Sequence, residues 1–467
     1  MVHPTAHSTR TLLALAAAIA TAAPACALEV PDLNNPALDE LQQHPTAVTL
    51  GAAATGLLIG GRRNHAAKNG YVSQLGILGR ESYVFDGSDP RFLSELVEGS
   101  LNAGSPFGGN FWAGPYANLR LGNEILHAID KLPAGELTDG QKSGLRGFVH
   151  TMQALDLLEV VVTHDTNGAV IDTDQPIARA PAPQSLGAIV AKDAALTEIA
   201  RLLDAAAPEL TAPSAAFSFQ LASGFAGFTT AATFATFNRA LRARVAAYQA
   251  DWATALTALS QSFLSETESP IDFDRGVYYT YTTKSGDVTN ALLNPDIFAH
   301  PSLKADAATG PGGVDARYTA KVREVGADES GAGRGLSSSL KFRLYQDPGS
   351  RIPLIRNEEL ILLKAEALFE TGKQAEATTE LNLVRVGSGK LAALPATITD
   401  RAMFVDALLY ERRYSLLFEG HRWIDARRLG KALPLDDPKH TLNVRYPIPL
   451  AECNARPGEP RCALGST

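Results

Sequence analysis

Glu411-Arg412-Arg413, followed by Leu417-Phe418-Glu419-Gly420-His421-Arg422-Trp423-Ile424-Asp425-Ala426-Arg427-Arg428, is the stretch whose reading decides the fold of this 467-residue chain. Acidic and basic residues alternate here at helical spacing, a pattern that forms ion-pair and capping networks on helices. Gly420 is placed to end one helix, because glycine reaches the left-handed conformation of a C-terminal cap without strain. Arg422 and Asp425 then read as an i, i+3 pair on the next helix, with Trp423 turned inward. Glu411 and Glu419 invite a catalytic reading. On one continuous helix, eight positions would separate them by about 12 Å along the axis. The density of arginine around them favours a structural role, and His421 reads as a buried hydrogen-bonding residue.

The same third of the chain carries Asn357-Glu358-Glu359-Leu360, Lys364-Ala365-Glu366-Ala367-Leu368, Gly372, Ala377, Leu381-Asn382 and Val384-Arg385. It closes on Tyr446-Pro447-Ile448-Pro449 and Asn454. In order and spacing these residues resemble the SusD/RagB family of nutrient-binding outer-membrane proteins, most strongly from Arg356 to Asn454. Upstream the resemblance is fainter. It rests on Trp112, Tyr116 and Asn123, on Leu145-Arg146-Gly147-Phe148, on Asp315-Ala316-Arg317, and on the Leu28-Glu29-Val30-Pro31-Asp32 start. The resemblance implies a mainly α fold: a tetratricopeptide-like scaffold of about four helix pairs with an irregular, loop-rich ligand-binding lobe. It implies a non-catalytic lipoprotein on the outer-membrane surface that captures nutrients, most often glycans, for a SusC-like TonB-dependent channel. Glu411, Arg412, Glu419, His421, Arg422, Trp423, Asp425 and Arg428 are then a structural motif. The chain departs from the common family pattern in its Ala-rich, Lys-poor composition.

Apolar residues recur at three- and four-residue steps in several stretches, the signature of amphipathic helices. These are Tyr116 to Leu132, Gln141 to Val162, Leu186 to Leu203, Phe234 to Tyr248 and Trp252 to Phe263. Glu358 to Thr371, Gln374 to Val386 and Ala402 to Phe418 complete the set. Val48 to Gly60 is apolar but too short to span a membrane, and reads as a buried helix. Strand signals are confined to Tyr278–Thr283 and Lys341–Tyr345. Ala243, Ala250 and Ala255 echo Ala365, Gly372 and Ala377 at one offset, and Leu259 echoes Leu381. Each set covers a helix, a tight turn and a second helix, as in a helical repeat. The chain divides into an export segment, residues 1–26, and one domain, 27–467. Helical repeats fall near 115–263 and 356–430, and a loop-rich part near 265–345.

A net charge of −8 leaves no basic surplus to neutralise phosphates, which argues against nucleic acid. His3, His7 and Arg10, the apolar run Leu12–Ala23 and the small residues after it have the layout of a secretory signal. Cys26 is read as the lipid-modified residue of a lipoprotein, although Ala23 stands where leucine is usual. The other reading is ordinary cleavage after Ala27. Cys453 and Cys462 bracket a proline-containing tail and, after export, are expected to form a disulfide. No zinc site, other metal site or cofactor motif is present, nor any hydrolase signature. Asp165-Thr166-Asn167-Gly168 with Asp172 and Asp174 lacks calcium-loop spacing and reads as a solvated turn.

Sugar binding calls for flat ring faces beside polar groups. The candidates are aromatics outside helix stripes. Tyr83 and Phe85 lie near Asp86 and Asp89, Phe107, Phe111 and Trp112 around a Gly-rich stretch, and Tyr278, Tyr279 and Tyr281 in the long loop region. For Trp112 the family pattern points to the core. Two rivals are a helical-repeat interaction scaffold of the cell envelope and an exported hydrolase. The second lacks a credible acid–base or nucleophile set.

Overall fold

The computed structural model describes residues 38–174, 186–330 and 334–467. The export segment and Cys26 lie outside the described residues.

Helices α1 (Leu38–Gln43), α2 (Ala47–Arg62) and α3 (Tyr71–Leu78) lead into strand β1 (Ser82–Val84) and the single turn α4 (Arg91–Ser94). A stack of longer helices follows: α5 (Ala113–Lys131), α6 (Asp139–His164), α7 (Lys192–Thr211), α8 (Ala231–Tyr248) and α9 (Trp252–Ser260). Between α6 and α7, the short strands β2 (Ala169–Val170) and β3 (Ile189–Val190) pair antiparallel. The expected helix from Leu186 therefore begins later, at Lys192. Its β-branched lead-in, Ile189-Val190, is extended instead.

Residues 261–356 form an insertion of short pieces. These are β4 (Gly276–Tyr279), β5 (Ile297–Ala299), α10 (Ser302–Ala305), β6 (Thr309–Gly310), β7 (Gly313–Val314), α11 (Ala316–Lys321), β8 (Val322–Ser330), β9 (Ser337–Phe342) and β10 (Ile352–Arg356). The C-terminal part resumes the helices with α12 (Asn357–Glu370), α13 (Gln374–Gly387), α14 (Arg401–Ser415), α15 (Arg422–Arg428) and α16 (Leu450–Ala455). The fold is that of a mainly helical, repeat-like scaffold, and the sheets of the described residues are all two-stranded antiparallel pairs.

Side-chain caps fix where the helices start. Thr46 with Thr49, Thr138 with Gln141 and Thr230 with Thr233 form reciprocal capping boxes. Asp251 and Asp400 each accept an amide N–H of the first turn. Each long helix packs on the next from α5 to α9, and α9 then packs on α12, so the stack continues across the insertion. Small residues make that junction close. Ala246, Ala255 and Ala367 form a cluster of their own between the two hairpins. The echo has a structural counterpart at the turns, where Ala250 (φ 56°) and Gly372 (φ 83°) both adopt the left-handed conformation.

Helix α2 buries Leu50, Leu57 and Leu58 but leaves Val48 80% and Ile59 39% exposed, so it is a half-buried helix rather than the buried one expected. Among the described residues no helix is long and apolar enough to cross a membrane. The turn at Asp165 is buried, not solvated. Asp165 pairs with Arg427 and with Lys192, and Asn167 donates to the carbonyls of Tyr446 and Gly465.

Candidate functional site

The charged motif is a buried lattice. Asp425 accepts from Arg412 Nε at 2.7 Å and from Arg428 Nε at 2.9 Å, and Arg428 reaches on to Glu366 with both terminal nitrogens. Glu411 pairs with Arg317 and Arg385, Glu419 with Arg356, and Glu359 with Arg244. Burial opposes ionisation of Asp425, but Arg412 and Arg428 outweigh it and hold its carboxyl at about 2. Glu359, against Arg244, is held at about 2 in the same way. Arg422 is not the i, i+3 partner of Asp425 that the spacing suggested. Arg428 fills that role, because α15 begins at Arg422 and turns Asp425 back toward α14. Glu411 and Glu419 do not share a helix, since α14 ends at Ser415. The His421 imidazole makes no hydrogen bond among the described residues. Its Nε2 lies 3.7 Å from Glu359, and burial lowers its pKa. Trp423 is turned inward and donates from Nε1 to the Asn443 carbonyl. Cys453 and Cys462 are joined by a disulfide.

The aromatics expected to stack on ligand are packed against protein. Tyr83 bonds His300 and stacks on Phe85, which in turn meets Phe298. Phe107 meets Phe92 edge-on, and Trp112 meets Tyr116 and His164. Tyr278 donates to the Asp274 carbonyl and lies under Arg351, Tyr279 packs on His65, and Tyr281 donates to the Arg62 carbonyl. Of the eight, counting Phe111, which packs on Tyr71 and Tyr446, all but the half-buried Phe85 are buried. They lie outside helices, as read, but β1 pairs with β5 and β4 with β10, and both pairs lie in the core.

Two open grooves stand out among the described residues. One, of about 460 Å³, is lined by Tyr278, Arg351, Lys321, Arg356 and Glu419. Its arginine–carboxylate groups are already matched, Arg356 with Glu358 and Glu419, and Arg317 with Asp315 and Glu411. The other, of about 590 Å³, runs between the C-terminal half of α2 and the start of α5. Gly56, Gly60, Phe111, Ala117 and Leu121 line its walls, and Asn118, Asp156 and Glu159 its floor. Gly60 is required by this packing, since a Cβ there would stand 2.2 Å from Asn118 Oδ1. Asn118 Nδ2 donates to the Leu57 carbonyl and to Asp156 Oδ2. Among the described residues Asp156 Oδ1 takes no hydrogen bond, and no lysine or arginine pairs with Asp156 or Glu159.

Burial pushes Asp156 well above the usual carboxylate range, with Asn118 offsetting part of the rise. Burial, and then Asp156, do the same to Glu159. The nearest basic group to Glu159, His65 Nε2 at 3.5 Å, is held at about 4 by burial and does not compensate its charge at neutral pH. Sequence reasoning missed this floor. The available signal was Asp156 and Glu159 interrupting the otherwise apolar face of α6 that carries Met152, Leu155 and Leu158. Among the described residues no group of three or more histidine, cysteine or acidic side chains could hold a metal ion.

Residues 345–457 match the model of the SusD family. A curated relative, the SusD-like protein P38 of Formosa agariphila, is 38% identical over 96 residues, a stretch that spans 19% of each chain. The fold is similar to that of a SusD superfamily protein from Bacteroides vulgatus (TM-score 0.64, 13% identity, 88% of this chain and 97% of that one). It is similar also to a SusD-like carbohydrate binding protein from Bacteroides fragilis (TM-score 0.63, 16% identity, 84% and 87%). A third similar structure is a laminarin binding SusD-like protein (TM-score 0.63, 16% identity, 87% and 97%).

Proposed function

We propose that this chain, whose residues 345–457 match the SusD family model and whose fold is similar to SusD superfamily structures, binds oligosaccharides in the groove between α2 and α5 without turning them over. It does so at the outer-membrane surface, anchored through Cys26, and delivers them to a TonB-dependent channel. The observation that carries the binding reading is the groove itself, a cleft of about 590 Å³ whose polar floor has Asp156 Oδ1 open and without a protein hydrogen bond. Buried polar groups are ordinarily hydrogen-bonded, so an unfilled set facing a cleft marks a place for ligand groups. Two similar structures are described as carbohydrate or laminarin binding, which supports the ligand class. The arginine-paired carboxylates of Glu411, Glu419 and Asp425 support a non-catalytic role, because a general acid or base needs a proton free to move.

The test is calorimetry of the purified protein against hexasaccharides of gluco-, manno- and xylo-type, with product analysis alongside. Binding without cleavage is expected. Ala117→Trp, an exposed position on the groove wall, should weaken it at least tenfold. Loss of all binding in the wild-type protein would remove the glycan reading and favour the envelope scaffold.

A further inference from the structure

We propose that this groove selects uncharged, hydroxyl-bearing saccharides and rejects acidic ones, with Asp156 at its floor and Tyr279 behind Gly61 reading a ligand hydroxyl; the proposal rests on the groove being the saccharide site. Three polar groups converge over Gly61. The point where a Cβ on that residue would stand lies 3.1 Å from the Tyr279 hydroxyl, 3.7 Å from Asn118 Nδ2 and 3.8 Å from Asp156 Oδ1. Asn118 spends its amide on Leu57 and Asp156. The Tyr279 hydroxyl and Asp156 Oδ1 make no hydrogen bond, although both residues are only 4% exposed. Neither atom is sealed inside the protein without a partner, so both are open to a group that enters the space over Gly61, where a phenylalanine in place of Tyr279 would offer no polar atom.

The charge preference follows from what surrounds that floor. Burial favours the protonated form of Asp156 and Glu159, in which each carboxyl both donates and accepts, as a sugar hydroxyl requires. If ionised, they repel an anion. In neither form does the floor supply a cation to a uronate or sulfate, whose charge would then be desolvated without a partner. The groups facing the two carboxyls are Asn118 from α5, Tyr279 from β4, Tyr281 just after it, Tyr71 from α3, and His65 from the turn after α2, which is uncharged at neutral pH. The one lysine or arginine lining the groove, Arg63, is exposed.

The experiment compares the neutral hexasaccharides with oligogalacturonate and oligoalginate of the same length, by calorimetry, on the wild-type protein and Tyr279→Phe. At least one neutral ligand should bind ten or more times tighter than either acidic one. Tyr279→Phe should weaken that neutral ligand three- to tenfold at an unchanged melting temperature, since the lost hydroxyl bonds to nothing in the protein. Acidic ligands bound as tightly as neutral ones, or a Tyr279→Phe protein that binds like the wild type, would overturn this inference while leaving the glycan reading intact. Absence of binding to every saccharide would overturn both.

Discussion

Glu81 lies 1% exposed in the loop between α3 and β1, and neither of its carboxyl oxygens has a well-formed hydrogen bond. Burial raises its pKa to about 8, with the Phe418 amide offsetting part of the effect. For an acid raised in the folded state, the unfolded chain releases its proton first. Stability is therefore intact below about 4.5 and falls as pH rises toward 8. Glu81→Gln keeps the shape and removes the titration. Melting curves taken from pH 5 to pH 8 should show the wild type losing ground to the variant by several kcal/mol. Parallel curves would mean that Glu81 is as readily ionised in the folded protein as in the unfolded chain. His65 and His164 act with the opposite sign. Burial lowers them to about 4 and about 3, so they erode stability as pH falls below about 6.5 in both proteins alike. Nothing in the local sequence marks Glu81 as buried, because its partners in space, His300 and Phe418, are remote in the chain.

The elements that were legible in the sequence are those made by local rules. Hairpin α8–α9 and hairpin α12–α13 were readable because helical periodicity and small residues repeat within about forty positions. The echo of Ala250 by Gly372 pointed to their tight turns. Physics separates the two turns. A non-glycine residue in the left-handed region is strained by its Cβ, and glycine is not. Ala250→Gly should therefore stabilise the protein by about 0.5–1 kcal/mol, and Gly372→Ala should destabilise it by about 1 kcal/mol. Opposite shifts of the urea midpoint check this, and shifts of one sign would show that the two turns are not equivalent. The short strands were not legible for the converse reason. Tyr83 pairs with Phe298 and Tyr278 with Pro353, and neither partner can be known from a local window. Their aromatics looked like exposed loop residues and are core. The groove was invisible in the same way, since Gly60, Asn118 and Asp156 come together from three helices.

At the scale of the molecule, the C-terminal residues return to the N-terminal half. Asn443 donates to the carbonyls of Glu95 and Gly99 and accepts from the Leu101 amide and Ser466. Tyr446 bonds Gln74, and Asn167 bonds the Tyr446 carbonyl. Trp423 of the charged motif closes on the Asn443 carbonyl. These links join α3, the Gly-rich loop before α5, the end of α6 and α15. Such a clamp should make the described residues unfold as one cooperative unit rather than as two helical halves joined by an insertion. Asn443→Ala would remove the donor of two part-buried carbonyls, Glu95 and Gly99, and leave the Leu101 amide only Ser466 Oγ, at a cost of about 2 kcal/mol. Urea unfolding followed at Trp112 in the first half and Trp423 in the second, each in a single-tryptophan background, reads both claims. A lower midpoint that stays the same for both probes is expected, with the slope unchanged. Two separated midpoints in the wild type would mean the halves unfold independently, so that the charged motif stabilises only the C-terminal helices.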